Sequence, residues 1–264
     1  MMRVGMRENP VARTLRAGGS AFGTFALEFV TAALPRTAAS AGADFLVLDQ
    51  EHSGFTSETL RAVLGAARAS DIVPIVRVPS VDAHAISVAL DLGALGVMAP
   101  RVENADEARA VASAARYPPV GRRGFGILHL DEHGGDVERY MREANEQILV
   151  VVQIESKAAI ESVDAIAAVE GVDVLWIGQY DLTASLGIPG RFEHPSFLDA
   201  LAALVAACGR HGKTPAMATD SVEAGQELLS KGFRCIAIGH DLTLYRSALE
   251  QGLLALRAAA EVPL

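Results

Sequence analysis

Lysine is nearly missing from this chain. Its 264 residues carry three, Lys157, Lys213 and Lys231, beside 20 arginines. An imine-forming enzyme needs a desolvated lysine inside its pocket. Lys213 opens a strand pattern, Lys231 closes a helical one, and Lys157 falls on the helix after the nearest strand, so none fits that role. Basic residues are also outnumbered, 23 against 32 acids, giving a formal charge of −9. Such a chain lacks the basic face that nucleic acid requires. Cysteine is limited to Cys208 and Cys235, too few for a disulfide framework, which points to a reducing, cytoplasmic setting. Apolar runs such as Ile148–Val152 are too short to span a bilayer. The first 20 residues hold four arginines but not the apolar stretch of roughly 7–15 residues of a secretory signal. Residues 1–20 are read as an N-terminal leader, and residues 21–264 as one domain.

What is present is a regular alternation. Half of the residues are hydrophobic, enough for a sizeable core. Short β-branched runs suggest strands at Gly23–Glu28, Phe45–Glu51, Val73–Val78, Gly96–Val102, Ile148–Glu155, Val172–Gly178, Thr214–Thr219 and Arg234–Gly239. Between them, helical patterns cover Val30–Ala41, Ser57–Ser70, Ala83–Leu92, Ala105–Arg116, Lys157–Ala168, Pro195–Arg210, Val222–Lys231 and Leu242–Ala260. Strand–helix alternation implies parallel strands with right-handed crossovers. Eight units in this length predict an α/β protein, a closed (β/α)8 TIM barrel. A doubly wound open sheet is the runner-up. The glycines of Gly121-Arg-Arg-Gly-Phe-Gly126 run in the reverse order for a dinucleotide fingerprint, so this stretch reads as a loop.

The irregular section from Pro118 to Gly135 is long for a compact domain, and such loops often serve as lids or binding loops. Within it, His129 and His133 stand four apart but lack the HExxH order, and Gly134-Gly135 follow at once. This reads as loop surface near the pocket, not as the main metal site.

In a barrel the active site lies at the C-terminal ends of the strands. There the sequence places Asp49, Glu51 and His52 after strand two, Arg77 after strand three, Gln153 and Glu155 after strand five, and Asp181 after strand six. Glu155 and Asp181 suit a divalent cation that keeps water positions open, Mg²⁺ or Mn²⁺. The plainer reading makes Asp181 a turn cap and Glu155 a solvated acid. Arg77 suits a carboxylate or an enolate oxygen, or else a salt bridge to Asp49 or Glu51. His52 suits a general base, or a structural histidine. Asp91, in the turn ALDLGA, suits a carboxylate that orients an imidazole, or simple helix-end solvation. Arg101, after the run MAP, adds a cation near the mouth.

Seven segments carry a resemblance: FLVLDQEH, PIVRVPS, GALGVMAPRVENADEA, RYPPVGRRGFG, VVQIES, IGQYDLTASLGIPG and His194-Pro195. In order and spacing, over about residues 20–255, the chain resembles the HpcH/HpaI aldolases. These are class II pyruvate aldolases of the phosphoenolpyruvate/pyruvate barrel superfamily, 4-hydroxy-2-oxoheptanedioate aldolases among them. The resemblance implies that Glu155 and Asp181 hold the metal, Mg²⁺ or Mn²⁺ with Co²⁺ or Zn²⁺ as alternatives. It implies that Arg77 stabilises an enolate, that His52 is catalytic and that Asp91 is its carboxylate partner. Gln153, Tyr180, Asp181 and Leu182 fall in the motifs that contact substrate. It also implies a homohexamer built as a trimer of dimers, with the last helix exchanged between subunits. Two positions depart from the pattern: Gln50 replaces a glycine, and Gln179 replaces a proline and so restores a backbone N–H.

The activity implied is reversible cleavage of a 4-hydroxy-2-oxoacid to pyruvate and an aldehyde through a metal-stabilised enolate. An acyl-CoA lyase of the citrate-lyase branch, a 2-oxoacid decarboxylase and a non-catalytic barrel are the alternatives. No basic groove for an adenine nucleotide is visible in the sequence.

Overall fold

The computed structural model describes residues 6–126 and 136–260. Eight parallel strands close in sequence order: β1 (Ala21–Ala26), β2 (Phe45–Asp49), β3 (Val73–Arg77), β4 (Gly96–Ala99), β5 (Leu149–Ile154), β6 (Val174–Ile177), β7 (Thr214–Thr219) and β8 (Cys235–His240). β8 pairs back onto β1, with Ala21 opposite Cys235, so no edge strand remains. The expected (β/α)8 barrel is the fold.

The surrounding helices are α1 (Pro10–Arg16), α2 (Leu34–Ser40), α3 (Ser57–Ala67), α4 (Ala83–Asp91), α5 (Ala105–Ala115), α6 (Val137–Gln147), α7 (Lys157–Glu161), α8 (Val163–Ala167), α9 (Gln179–Ser185), α10 (Pro195–His211), α11 (Val222–Ser230) and α12 (Asp241–Ala260). Two differ from the sequence reading. α2 starts at Leu34 rather than Val30, because Pro35 is tolerated only in a first turn. The stretch Lys157–Ala168 breaks at Ser162, which ends α7 and opens α8. Three helices went unpredicted: α1, α6 and α9. Asn9-Pro10 and Asp136 mark the first two, since each cap side chain accepts a hydrogen bond from the first turn (Ala12 N–H and Arg139 N–H).

The core has two layers set by strand parity. Phe45, Val47, Val73, Ile75, Leu149, Val151, Val174 and Trp176 fill the barrel. The alternate residues Leu46, Leu48, Val76, Val150, Val152, Ile154, Leu175 and Ile177 face the helices. Val11, Ala12 and Leu15 of α1, within the first 20 residues, join the inner cluster and close the end where the strands begin. Asn9 Nδ2 donates to the carbonyls of Leu95 and Gln147, both at 2.9 Å.

The segment from Pro118 leaves α5 and returns through α6, at that same end. Its described part, to Gly126, folds onto α5 through Arg122 N–H to Ser113 O and Arg123 N–H to Arg116 O, each 2.8 Å. Because α5 runs back from β4, this described part lies at the end remote from the mouth. The pair His129 and His133 lies outside the described residues.

At the other end, the buried Asp241 carboxylate accepts from three successive backbone N–H groups, Leu27, Glu28 and Phe29, at 2.6–3.1 Å. It thereby joins the loop after β1 to the start of α12. Beyond Asp241, α12 buries none of its residues and exposes Leu242, Tyr245, Leu249, Leu253 and Leu256 at helical spacing. Among the described residues no helix is long and apolar enough to cross a membrane. Both cysteines are buried and unbridged.

Candidate active site

The parity that fills the barrel also builds its mouth. Continuing each inner row by two residues leads from Val47 to Asp49 and Glu51, from Ile75 to Arg77, from Val151 to Gln153 and Glu155, and from Trp176 to Gly178. Phe25 and Trp176 pack edge to face with centroids 5.6 Å apart and form the floor. The Arg77 guanidinium lies 5.5 Å above the Phe25 ring. Both readings of Arg77 meet here: it is salt-bridged, and it faces the mouth.

Asp49, fully buried, is the pivot that the sequence reading left without a role of its own. Its oxygens accept from Arg77 Nε at 2.7 Å and Nη2 at 2.8 Å, a planar fork on a carboxylate. They also accept from the backbone N–H of Glu51 at 2.9 Å and of His52 at 3.2 Å. One carboxylate thus fixes the arginine and the turn that carries the histidine. Burial works against the Arg77 charge, but Asp49, with Glu51 and Glu155 beyond it, holds its pKa above the ordinary value. Gln50 Nε2 donates to Phe55 O at 3.1 Å, tying off the same turn.

His52 is half exposed, and its Nε2 lies 3.6 Å from Glu51 Oε2. The carboxylate beside the imidazole is therefore Glu51. Asp91 is not brought there. It ends α4, where that helix hands over to the start of β4, and its Oδ1 accepts from the buried Arg123 at 2.6 Å. Within one chain the height of the barrel separates Asp91 from His52. Sequence spacing carries no information about which end of the barrel a turn occupies until helix direction is known.

Glu155 is 7% exposed and accepts the backbone N–H of Arg101 at 2.6 Å. Burial pushes its carboxyl up to about 7; the Arg101 N–H opposes this, Glu51 and Asp181 add to it, and Arg77 opposes it. A Cβ on Gly178 would lie 2.3 Å from Glu155 Oε2, so only glycine lets β6 pass this carboxylate. Asp181 sits in the first turn of α9 and is exposed. Gln179 Nε2 reaches Ala218 O at 3.4 Å and links that turn to β7. Tyr180 is exposed and stacks edge-on against Phe192. Leu182 is fully buried in the layer between strands and helices. In a helix starting at Gln179, position 182 turns its side chain onto the barrel wall, so the expected contact falls to its backbone.

The residues fit a divalent cation. Glu155 and Asp181 face one another closely enough to raise the Glu155 pKa, and a carboxyl poised near 7 gains most from a nearby cation. Gln153 Oε1 is buried at the same mouth without a hydrogen-bond partner among the described residues. Glu51 Oε2 accepts no hydrogen bond there either and is held by the ion pairs with Arg77 and His52. The orphaned amide oxygen of Gln153 suits a bound cation or its waters. Among the described residues no group of three or more His, Cys, Asp or Glu forms a ready metal cage. Lysine plays no part here. Lys213 bonds Val172 O at 2.8 Å, while Lys157 pairs with Glu161 and Lys231 with Glu227 on helix surfaces.

Comparison with known proteins agrees with this geometry. The chain is 35% identical over 255 residues to 2-keto-3-deoxy-L-rhamnonate aldolase of Salmonella paratyphi A, covering 96% of this chain and 95% of that one. It superposes on the crystal structure of an HpcH/HpaI aldolase from Desulfitobacterium hafniense DCB-2 with a TM-score of 0.88 and 29% identity, over 95% of this chain and 96% of the other. An HpcH/HpaI aldolase/citrate lyase family protein from Burkholderia cenocepacia J2315 gives 0.87 and 31%, over 94% and 99%. Residues 24–248 match the family described as HpcH/HpaI aldolase/citrate lyase, and this chain belongs to it as a class II aldolase, a carbon–carbon lyase.

Proposed function

We propose that the protein reversibly cleaves a 4-hydroxy-2-oxoacid to pyruvate and an aldehyde. The observation that carries this reading is the pairing of Glu155, poised near 7, with Asp181 across from the fixed guanidinium of Arg77. Glu155 and Asp181 would hold Mg²⁺ or Mn²⁺, which when bound supplies Lewis acidity toward the keto and carboxylate oxygens of the oxoacid. The His52 imidazole takes the proton of the C4 hydroxyl. The C3–C4 bond then breaks, the aldehyde leaves, and the electron pair passes to the enolate of pyruvate. Arg77, held rigid by Asp49, places positive charge where the enolate oxygen develops. Gln153 orients the polar groups around that oxygen, and a proton returned to C3 completes pyruvate. Glu51 steadies the imidazole from 3.6 Å.

Pyruvate release from a panel of 4-hydroxy-2-oxoacids tests this. We expect turnover that EDTA removes and Mg²⁺ or Mn²⁺ restores. Full turnover in EDTA with metal-stripped protein would overturn the metal reading. Release of CO₂ from oxaloacetate without any aldol cleavage would favour a decarboxylase instead.

We further propose that the exposed stripe of α12 seats against a second copy of the chain, in a homo-oligomer such as a hexamer of exchanged dimers. Exposed apolar patches of this kind mark interaction surfaces. Sedimentation should give a multiple of 27.7 kDa. A monomer at micromolar concentration would refute the assembly.

A further inference from the structure

We propose that His240 handles the proton at C3 of the oxoacid: it protonates the enolate carbon in cleavage and removes a methyl proton from pyruvate in the reverse direction. The inference rests on the 2-oxoacid reading above and supplies the donor of the proton that returns to C3.

A shift in the register of β8 brings this imidazole to the site. Cys235 and Ala237 lie in the inner cluster, opposite Ala21 and Gly23 of β1. Counting on by two would make Gly239 the next inner residue and send residue 240 to the helix side. Three steps on β8, from Ala237 to His240, instead face two on β1, from Gly23 to Phe25. The extra residue is absorbed at Gly239, whose φ of +55° suits glycine. Thr24 Oγ1 donates to the displaced carbonyls of Ile238 and Gly239 at 2.9 and 3.2 Å. His240 thereby joins the inner row beside Phe25, the floor under Arg77. Bulges at barrel rims re-aim side chains in this way. Thr243 Oγ1 fixes the backbone there, accepting from His240 N–H and donating to His240 O, both at 3.0 Å.

The fold itself makes no use of the ring so delivered. Its Nδ1 is buried with no hydrogen-bond partner among the described residues. Asp241 Oδ1 stands 3.8 Å from it, beyond hydrogen-bond reach, so an imidazolium there has an anion for a neighbour. The side chain is 30% exposed, and Nε2 makes no hydrogen bond to any described residue. A polar ring held on an apolar floor without a partner calls for a functional explanation. β2 and β8 both pair with β1, so His52 and His240 flank that floor from its two sides. His52 serves the hydroxyl of the departing aldehyde, and His240 the carbon left behind. In that step the Nε2–H bond of the imidazolium breaks, the enolate electron pair takes the proton to form the C3–H bond, and the keto group is restored. Water then reprotonates the neutral ring.

The test follows the methyl protons of pyruvate by NMR in heavy water, with Mg²⁺ and no aldehyde, on the wild-type protein and on H240Q. By microscopic reversibility the group that protonates C3 also removes a methyl proton. We expect wild type to exchange the methyl group for deuterium, and H240Q to do so about 10²-fold more slowly, as loss of a positioned acid–base group costs. Calorimetry should give both proteins the same pyruvate affinity within a few-fold. In H240A, added imidazole should restore exchange in proportion to its concentration. Exchange at the wild-type rate in H240Q would overturn the proposal and leave the 2-oxoacid reading standing, as would a wild type that binds pyruvate without exchanging it. A loss that imidazole does not restore, or that weaker pyruvate binding accounts for, would mark a structural role and overturn it too. If wild type neither binds pyruvate nor exchanges its protons, the 2-oxoacid reading itself fails and the role of His240 falls with it.

Discussion

Arg77→Lys is expected to lower kcat by about 10²–10³-fold, the usual cost of one preorganised donor at a developing oxyanion. Lysine keeps a positive charge beside Asp49. Its single nitrogen cannot span both Asp49 oxygens and also present charge to the mouth, as the fork does with Nε and Nη2 on Asp49 and Nη1 3.4 Å from Glu51. Affinity for Mn²⁺, read by calorimetry, should stay within a few-fold, because Glu155 and Asp181 are untouched. Arg77→Ala is a poorer probe. It would leave the fully buried Asp49 carboxylate without its counter-ion, at a cost of about 3–5 kcal/mol of stability. Full kcat in Arg77→Lys would rule out the enolate role.

Glu155→Gln is expected to lose activity on the order of 10³-fold or more, since several kcal/mol of metal assistance would go. The same change should make the metal-free protein more stable at high pH. In the folded state this carboxyl is pushed up to about 7, from 4.5. Its raised pKa contributes stability that is fully present below about 4.5. That contribution is lost as pH rises through 7, because above 7 the folded state must hold a desolvated charge. The difference amounts to about 3 kcal/mol across the window. In EDTA, urea unfolding should therefore rank Glu155→Gln above wild type at pH 8 and equal to it near pH 4.5. Mn²⁺ should stabilise wild type and not the variant, with affinity falling about tenfold per unit below pH 7. A variant that keeps its metal affinity, or is less stable than wild type at pH 8 in EDTA, would remove Glu155 from the ligand set.

The barrel was legible because its strands are apolar on both faces and its helices are not. The run Leu149–Ile154 is buried at every position and reads as a strand in any context. The polar residues that end such runs were legible for the same reason: Arg77 and Glu155 interrupt a pattern that folding alone would continue or close with a turn residue. Less was legible where meaning depends on direction. Asp91 and His52 each border a strand, but one precedes β4 and the other follows β2, so they occupy opposite ends. Leu182 sits in a segment of the right type, yet the unpredicted helix α9 turns its side chain into the wall. Asp49 was visible as a strand-end acid, but its joint hold on Arg77 and on the His52 turn is a tertiary fact with no local pattern.

The doubled apolar character of β5 has a cost for anyone engineering this barrel. A slip of one residue would exchange Leu149 and Val151 with Val150 and Val152, one hydrocarbon set for another. The hydrocarbon part of the strand would lose little by the exchange. Gln153 and Glu155, however, would point at the apolar layer under the helices, and the chemistry would be gone. There an amide and a carboxylate without partners each cost about 2 kcal/mol or more. The two polar residues that serve the mouth therefore also hold the register that their apolar neighbours leave open.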